Sequence, residues 1–484
     1  MANTNTGSSR PYARSLDCYV ESIRIATMVK DELVKGELGE DKDIVLHDNA
    51  QDISRWLGFS IYEDMFRNFM TCEILLQDQD GFFLNRLRTE ESIVISFKTP
   101  DLPGKNFEMR THYFYLYKID SIALIDNPPG AYYSIKGISF EFFANSLKTF
   151  SRAYQGKTHT IVKKIYDEYL LQARATDSEK QSVVKRAKKT LSLGKETKHD
   201  MMFTFPYVNP VDAINHLASV SIDAANPNIC NYVFFENRDG YHFKSITEMI
   251  ENPKTTHKYT TTKRLDEPFT NFSFYFDKTV SLRPIRTGDK IIDTLDGVWG
   301  EYFAEYDLMF KSYKPFFSSK RGKETSWGKE YLDYFPKTKH LNKEPLLSAD
   351  NDLFSAPLGR NRICFTNRAL HSMEKKLSPT KSEWKMFETH EGEYSFQRRS
   401  MMQQINGFNV EMTVAGNSNI TVGDIVDLKA AIYRTTSDDK YLSGKYLVAA
   451  VNHMVTLSKY VTIVTLSRDS MASVEFADDT KGGE

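Results

Sequence analysis

Apolar and polar positions between residues 18 and 130 repeat mostly every second residue, the period of a half-buried strand. Ile93, Ile95 and Phe97 alternate with Ser96 and Lys98, and Tyr113, Tyr115, Tyr117 and Ile119 keep the same spacing. The run 72–78 ends at Asp78 and is followed by Gln79-Asp80-Gly81 and then Phe82-Phe83-Leu84, an Asp-Gly turn between apolar arms that predicts a hairpin. This block reads as a small β-barrel or strongly bent sheet. Its one expected helix covers 52–69, where an Asp cap precedes Tyr62-Glu63-Asp64-Met65-Phe66.

Over 134–171 the period lengthens. Phe140, Phe143 and Leu147, then Ile161, Ile165 and Tyr169, fall at helical spacing and predict two short helices. Residues 173–199 carry Lys180, Lys185, Arg186, Lys188, Lys189, Lys195 and Lys198 with few large apolar groups, which predicts a solvated connector, with a partner-docking arm as the sharper reading.

The next block, 201–310, opens between Pro206 and Pro210, continues with an amphipathic helix over 211–219, and reaches a second aromatic hairpin. There Phe234, Phe235 and Glu236 lead through Asn237-Arg238-Asp239-Gly240 to Tyr241, His242 and Phe243. Strand, Asp-Gly turn and aromatic arm thus recur, after Gln77 and after Glu236, suggesting two related modules. Residues 311–398, rich in Lys, Ser, Pro and exposed-looking aromatics such as Trp327, Tyr331, Tyr334 and Trp384, read as an insertion or interaction region. Four strands at 408–414, 420–428, 446–455 and 460–466 predict a C-terminal small β-barrel within 399–472. A polar arm at 1–17 and an acidic tail at 473–484 complete a β-rich α+β, multidomain chain, with a helical segment and charged connector at 131–200.

Composition narrows the function classes. A length of 484 residues implies roughly two to four domains. Aromatics reach 13%, with 32 Phe and 26 Tyr, which favours sheets and large contact surfaces. Lys plus Arg number 63 against 64 Asp plus Glu, so no net positive field holds a nucleic-acid backbone. Cys18, Cys72, Cys230 and Cys364 are scattered without a CxxC pair and read as reduced core residues of a protein made in a cytoplasm. The start lacks the apolar stretch of a secretory signal, and no run approaches the roughly 20 apolar residues of a membrane span.

No catalytic constellation stands out, and neither cofactor nor metal is expected. Phosphate-cradling glycine loops are absent. His390-Glu391-Gly392-Glu393-Tyr394 begins like a zinc-protease helix but has Tyr where the second imidazole must fall. Ser182-Val183-Val184-Lys185 has the SxxK form inside the charged connector, where nothing desolvates the lysine. His216 and His453 sit on apolar-rich elements and read as core histidines. Carboxylates for glycan cleavage must flank one cleft, and no local motif singles out a pair.

In order, these blocks resemble the central baseplate hub proteins of T-even-like phages, a family related to the N-terminal half of type VI secretion spike proteins. The most specific stretch is Val422-Gly423-Asp424-Ile425-Val426, Gly416 and Asn417, Gly444 to Val448 with Tyr446, and His453. Phe234, Phe235, Glu236, Gly240 and Phe243 form a second signature, and Tyr62, Glu63, Phe66 and Asp78 a looser third. The resemblance implies a non-enzymatic virion protein of the tail baseplate, assembled in the host cytoplasm. It implies two tube-like β-barrel modules per chain, at 18–130 and 201–310, so that a homotrimer presents six barrels to a hexameric tail tube and threefold symmetry to a trimeric spike. Tape-measure and baseplate wedge proteins are further implied partners, with DNA only in transit. A tail-associated peptidoglycan hydrolase is the alternative, and a nucleic-acid adaptor using the basic connector a third class.

Overall fold

A computed structural model describes residues 18–26, 44–48, 53–78, 83, 87, 89, 91–102, 104–126, 129–171, 189–261, 276–307, 311–316, 318–320, 323–325, 329–347, 360–366, 373–377, 382–386, 391–430, 439 and 441–472. The terminal arms, the turn at 79–81, the SxxK sequence and the connector up to 188 lie outside the described residues.

The chain is β-rich, as its periodicity predicts, and its main sheet has fourteen strands. They are β1 (Tyr19–Ala26), β2 (Ile44–Asp48), β3 (Ile53–Ser54), β4 (Trp56–Asp64), β5 (Thr71–Asp78), β6 (Ser92–Lys98), β7 (Arg110–Asp126) and β8 (Pro129–Ile138). Then come β9 (Thr256–Thr260), β10 (Thr279–Thr287), β11 (Phe408–Ala415), β12 (Ile425–Lys429), β13 (Gly444–Thr456) and β14 (Tyr460–Arg468).

The order β4-β5-β8-β7-β6-β1-β2-β3 returns on itself, because β3 and β4 are one stretch interrupted only at Arg55. The Arg55 N–H donates to Leu46 O of β2 at 2.8 Å, and its carbonyl accepts from Gln77 N of β5 at 3.2 Å. A second set, β9-β12-β13-β14-β11-β10, closes at one end, where Thr260 bridges Lys278 just before β10. The sets join where β13 runs antiparallel to β4, from Ala450 opposite Asp64 to Thr456 opposite Gly58.

Each set has its own core. Ile23, Ile61, Ile74, Ile95, Leu116 and Ile135 fill the first, and Val410, Met412, Val426, Leu428, Val448 and Val464 the second. Each such side chain contributes about 1.5–3 kcal/mol by leaving water. On β7 the inward residues are His112, Phe114 and Leu116; Tyr113, Tyr115 and Tyr117 line the outer face, where Tyr115 meets Phe143 at 4.1 Å between ring centroids.

Several expectations are corrected. Within the expected helix 52–69, residues 53–69 are not helical: they form β3, β4 and a turn. Phe59, Ile61, Glu63 and Met65 are all buried, so the two-residue period is intact, and the inward-facing carboxylate of Glu63 disguises it. The strands of the block 201–310, read as a second mixed domain with a tube-like β-module, divide among separate sheets. The aromatic hairpin, Tyr232–Asn237 against Gly240–Ser245, pairs with Leu191–Leu193, whereas β9 and β10 complete the ring of the C-terminal strands. His216 is exposed, its ring edge-on to Phe203 and Phe205, rather than in the core. Tyr331 and Tyr334 are buried, not exposed.

Both helices expected in 134–171 form, Phe140–Leu147 and Thr158–Ile165, with the strand Phe150–Lys157 between them. With the helix Pro210–Val220 and the aromatic hairpin they enclose a third core around Ile161, Ile214, Leu217 and Phe243. The helix Glu391–Gly407 is tied to this layer by Arg398, whose guanidinium donates to the carbonyls of Ala218, Cys230 and Tyr232 at 2.9 Å each. Cys72 and Cys230 are buried thiols and Cys18 is half-buried, and none of the three is in a disulfide.

Candidate functional site: a buried junction of three sequence blocks

Alternation along β4 turns Glu63 inward, and at Asp64 the chain leaves the strand for a tight turn that brings Met70 beneath the aromatic hairpin. Glu63 is fully buried. Its Oε2 accepts from Thr421 Oγ1 at 2.5 Å and from Val422 N at 3.2 Å, while Oε1 has no hydrogen-bond partner. Burial pushes its pKa up, opposed by the Thr421 bond and the nearby Arg238 charge.

Glu236, on the edge strand Tyr232–Asn237 of the hairpin sheet, is equally buried. Its Oε2 accepts from Met70 N at 2.7 Å, and Lys189 Nζ lies 2.6 Å from Oε1. Burial works against the charge of Lys189, but Glu236, Glu141 and Glu63 outweigh it and raise its pKa. Next to this pair, burial and the Glu236 charge hold Glu141 at about 7. The Tyr241 hydroxyl donates to Glu141 Oε2 at 3.4 Å.

The third block closes the junction from the second strand ring. Val422 O accepts from Asn237 Nδ2 at 3.1 Å, and Ser418 O accepts from Arg238 at 2.6 Å. Asp424 caps its own turn by accepting from Thr421 N at 3.1 Å and meets His257 Nε2 at 3.1 Å. Gly423 has φ +93, which favours glycine, and lies against Met249 and Phe235. His453 of β13 accepts at Nδ1 from the Tyr460 hydroxyl at 2.9 Å, and burial drops its pKa to about 3, so its ring stays neutral.

Glu63, Phe235, Glu236, Val422, Gly423 and Asp424 are therefore brought to one junction, with Phe234, Gly240 and Phe243 in the same hairpin. Gly240, at φ +129, sits so close to Thr190 O that an added Cβ would meet it at 2.8 Å. The other signature residues lie elsewhere. Tyr62 faces outward, its hydroxyl donating to Asp64 and its pKa pushed up to about 12, mainly by burial. Phe66 is exposed in the turn after β4. Asp78, at the far end of β5, accepts from Phe83 N. Gly444 adopts φ +137 beside Asn342, and Tyr446 packs with Phe408 and Tyr441 around the Arg468 guanidinium.

Composition hid the most consequential residue. Lys189 reads as part of a solvated run, yet its side chain is only 16% exposed. Met70 and Thr421 act through a backbone N–H and a short hydroxyl, groups that carry no sequence signature. The junction links segments; it is not a cleft. Glu141 and Glu236 are at most 2% exposed, so no polysaccharide reaches that carboxylate pair. Among the described residues no cluster of His, Cys, Asp and Glu could hold a metal ion, and no helix is long and apolar enough to cross a membrane.

No protein-family model matches the chain. A probable baseplate hub protein of Vibrio phage KVP40 is 22% identical over 283 residues, a match spanning 56% of this chain and 60% of that relative. The tail protein of Neisseria meningitidis MC58 superposes with a TM-score of 0.50 at 10% identity, covering 93% of this chain and 97% of that one. The 43 kDa tail protein of prophage MuSo2 from Shewanella oneidensis gives a TM-score of 0.44 at 10% identity, over 94% and 100% of the two chains. The chain has the fold of a phage tail protein, and the resemblance to baseplate hub proteins drawn from its sequence blocks is borne out.

Proposed function

We propose that the chain is a structural subunit of a contractile phage-type baseplate, a central hub whose three copies form a ring between a hexameric tail tube and a trimeric spike. The observation that carries this reading is the presence of two strand rings in one chain, joined edge to edge through β13 and β4. Each ring is read as a tube-like barrel, so three chains supply six. Three copies thereby match a sixfold partner on one side and a threefold partner on the other.

The buried junction suits this geometric role. Carboxylates and one lysine, each held by groups from another segment, lock the relative pose of the two rings and the helical layer that fixes the angle between barrels. Contacts between protomers bury on the order of 2,000 Å2 or more, as obligate assemblies do. Its place is the virion tail, with assembly in the host cytoplasm, and spike, tube, tape-measure and wedge proteins as neighbours.

Native mass spectrometry of the purified protein tests this. A species of three times the chain mass is expected, and only monomer or a closed hexamer would overturn the ring. The hydrolase alternative predicts a cleared band in a peptidoglycan zymogram; the hub reading predicts none.

A further inference from the structure

The two strand rings share one plan. Five strands of each are antiparallel neighbours, β4-β5-β8-β7-β6 in the first and β10-β11-β14-β13-β12 in the second, and the chain visits them in the same sequence in both.

Their irregularities also fall on the same rungs. The first of the five bulges at Leu57 in β4, between Trp56 opposite Leu76 and Gly58 opposite Leu75, and at Val280 in β10, between Thr279 opposite Val414 and Ser281 opposite Thr413. The fourth bulges at Tyr117 in β7 and at Ala449 in β13. Just before that bulge Leu116 N donates to Glu91 O at 2.8 Å, and Val448 N to Asp424 O at 2.9 Å, each acceptor being the residue that precedes β6 or β12. The residue before the first strand closes each ring: Arg55 N donates to Leu46 O of β2, and Lys278 bridges Thr260 of β9. Pairing order alone does not make two barrels equivalent, but two bulges and a closing contact on the same rungs fix a correspondence residue by residue. Through it Gly58 corresponds to Ser281, Ser60 to Arg283, Ile61 to Pro284 and Leu116 to Val448.

One contact of this plan is made once within the chain. Beyond its bulge β13 runs on to Thr456 and pairs with β4 of the first ring, with Met454 opposite Ser60. β7, 17 residues long, runs on past its own bulge to Asp126, and along that half Ala123 lies opposite Tyr132 of β8 as Met454 lies opposite Val461 of β14. In the second ring the place of β4 belongs to β10.

We infer that the far half of β7 in one copy pairs antiparallel with β10 of the next, repeating between chains the join that β13 and β4 make within one. A single sheet then passes from ring to ring around the assembly. Ala123 lies opposite Arg283, Leu124 opposite Leu282 and Ile125 opposite Ser281. Met65 N donates to Ala449 O, and alternation along β4 turns the Ile61 N–H to the same edge. Pro284, in the place of Ile61, has no N–H, so the seam between chains has one rung fewer than the join within a chain. The partner is a second copy because both halves of the contact belong to this chain, in different rings. Such a contact is head-to-tail, and it closes when the step between chains repeats the step within one. The inference rests on the three-copy ring proposed above and names its seam.

Opposed Cα atoms of antiparallel strands lie about 4.5–5.5 Å apart, within disulfide reach. Copper-phenanthroline oxidation of the full chain carrying Ala123→Cys with Arg283→Cys is expected to link chains to one another, giving bands of two and three chain masses on a non-reducing gel. Arg283 is 71% exposed, so its replacement leaves the fold intact, and Ile125→Cys with Ser281→Cys is a second pair in the same register. Ser60→Cys with Met454→Cys, the corresponding pair inside a chain, should close without changing the mass. Ala123→Cys with Thr287→Cys, displaced by roughly 13 Å along the strand, and each single variant should link no more than the parent chain does. Native mass separates the seam from the ring itself. Three chain masses with neither designed pair linking, links that form inside one chain, or equal linking by the displaced pair would overturn the seam and leave the ring standing. Monomer alone would overturn both. Assemblies of more than three chains, linked only by the designed pairs, would support the seam and overturn the three-copy closure.

Discussion

Replacing Lys189 with Met removes the cation from the junction and leaves the Glu236 carboxylate at 0% side-chain exposure, with the Met70 N–H still donating to it. Breaking a buried pair by deleting one partner costs about 3–5 kcal/mol, because the surviving charge stays out of water without compensation. In the double variant Lys189→Met, Glu236→Gln both charges are gone, and the amide oxygen can still accept from Met70. Its cost should fall to about 1 kcal/mol, so the coupling between the sites is at least about 2–4 kcal/mol and larger by whatever Glu236→Gln costs alone. A chain with several cores need not unfold in one step, so the assay is native-state hydrogen exchange at the Met70 amide. Lys189→Met should speed exchange there by roughly two to four powers of ten, and the double variant by less than about one. The Val422 amide, held by Glu63 across the junction, should respond less. Exchange at Met70 changing less than tenfold in the single variant, or single-variant effects that simply add in the double, would refute the reasoning.

Two further outcomes follow from the same packing. At Gly416 an added Cβ would lie 2.0 Å from Tyr460 Cδ1, and that ring is buried and bonded to His453, so Gly416→Ala should cost about 3 kcal/mol or more. A thermal midpoint lowered by less than about 3 °C would contradict this. Glu141 has a native pKa of about 7 against 4.5 for the free group. The native state therefore keeps a proton that the unfolded chain releases, and stability should fall by about 3 kcal/mol as pH rises from 4.5 to 7. Glu141→Gln should flatten that slope in urea midpoints compared at pH 5 and pH 7.5; an unchanged slope would place the titration elsewhere.

The sequence by itself determined the β-rich character, the aromatic hairpin at Tyr232–Asn237 and Gly240–Ser245, and the four C-terminal strands. These rest on alternation and turn residues, which act within a few positions of the chain. It also carried the resemblance to hub proteins, because glycines such as Gly240 and Gly423 stand where backbone geometry admits little else. Tertiary structure alone decided that β9 and β10 complete the ring of the C-terminal strands, and that Lys189 is buried beside Glu236. Only there does Glu63, which disguised a strand as a helix, find its partners in Thr421 and Val422, 358 and 359 residues away. The physical reason is that strand pairing is made by backbone groups common to every residue, and a buried charge is tolerated only where distant segments supply its partners. Local pattern specifies a strand, but which strand it meets, and whether a lysine faces water or a carboxylate, is fixed when the whole chain has packed.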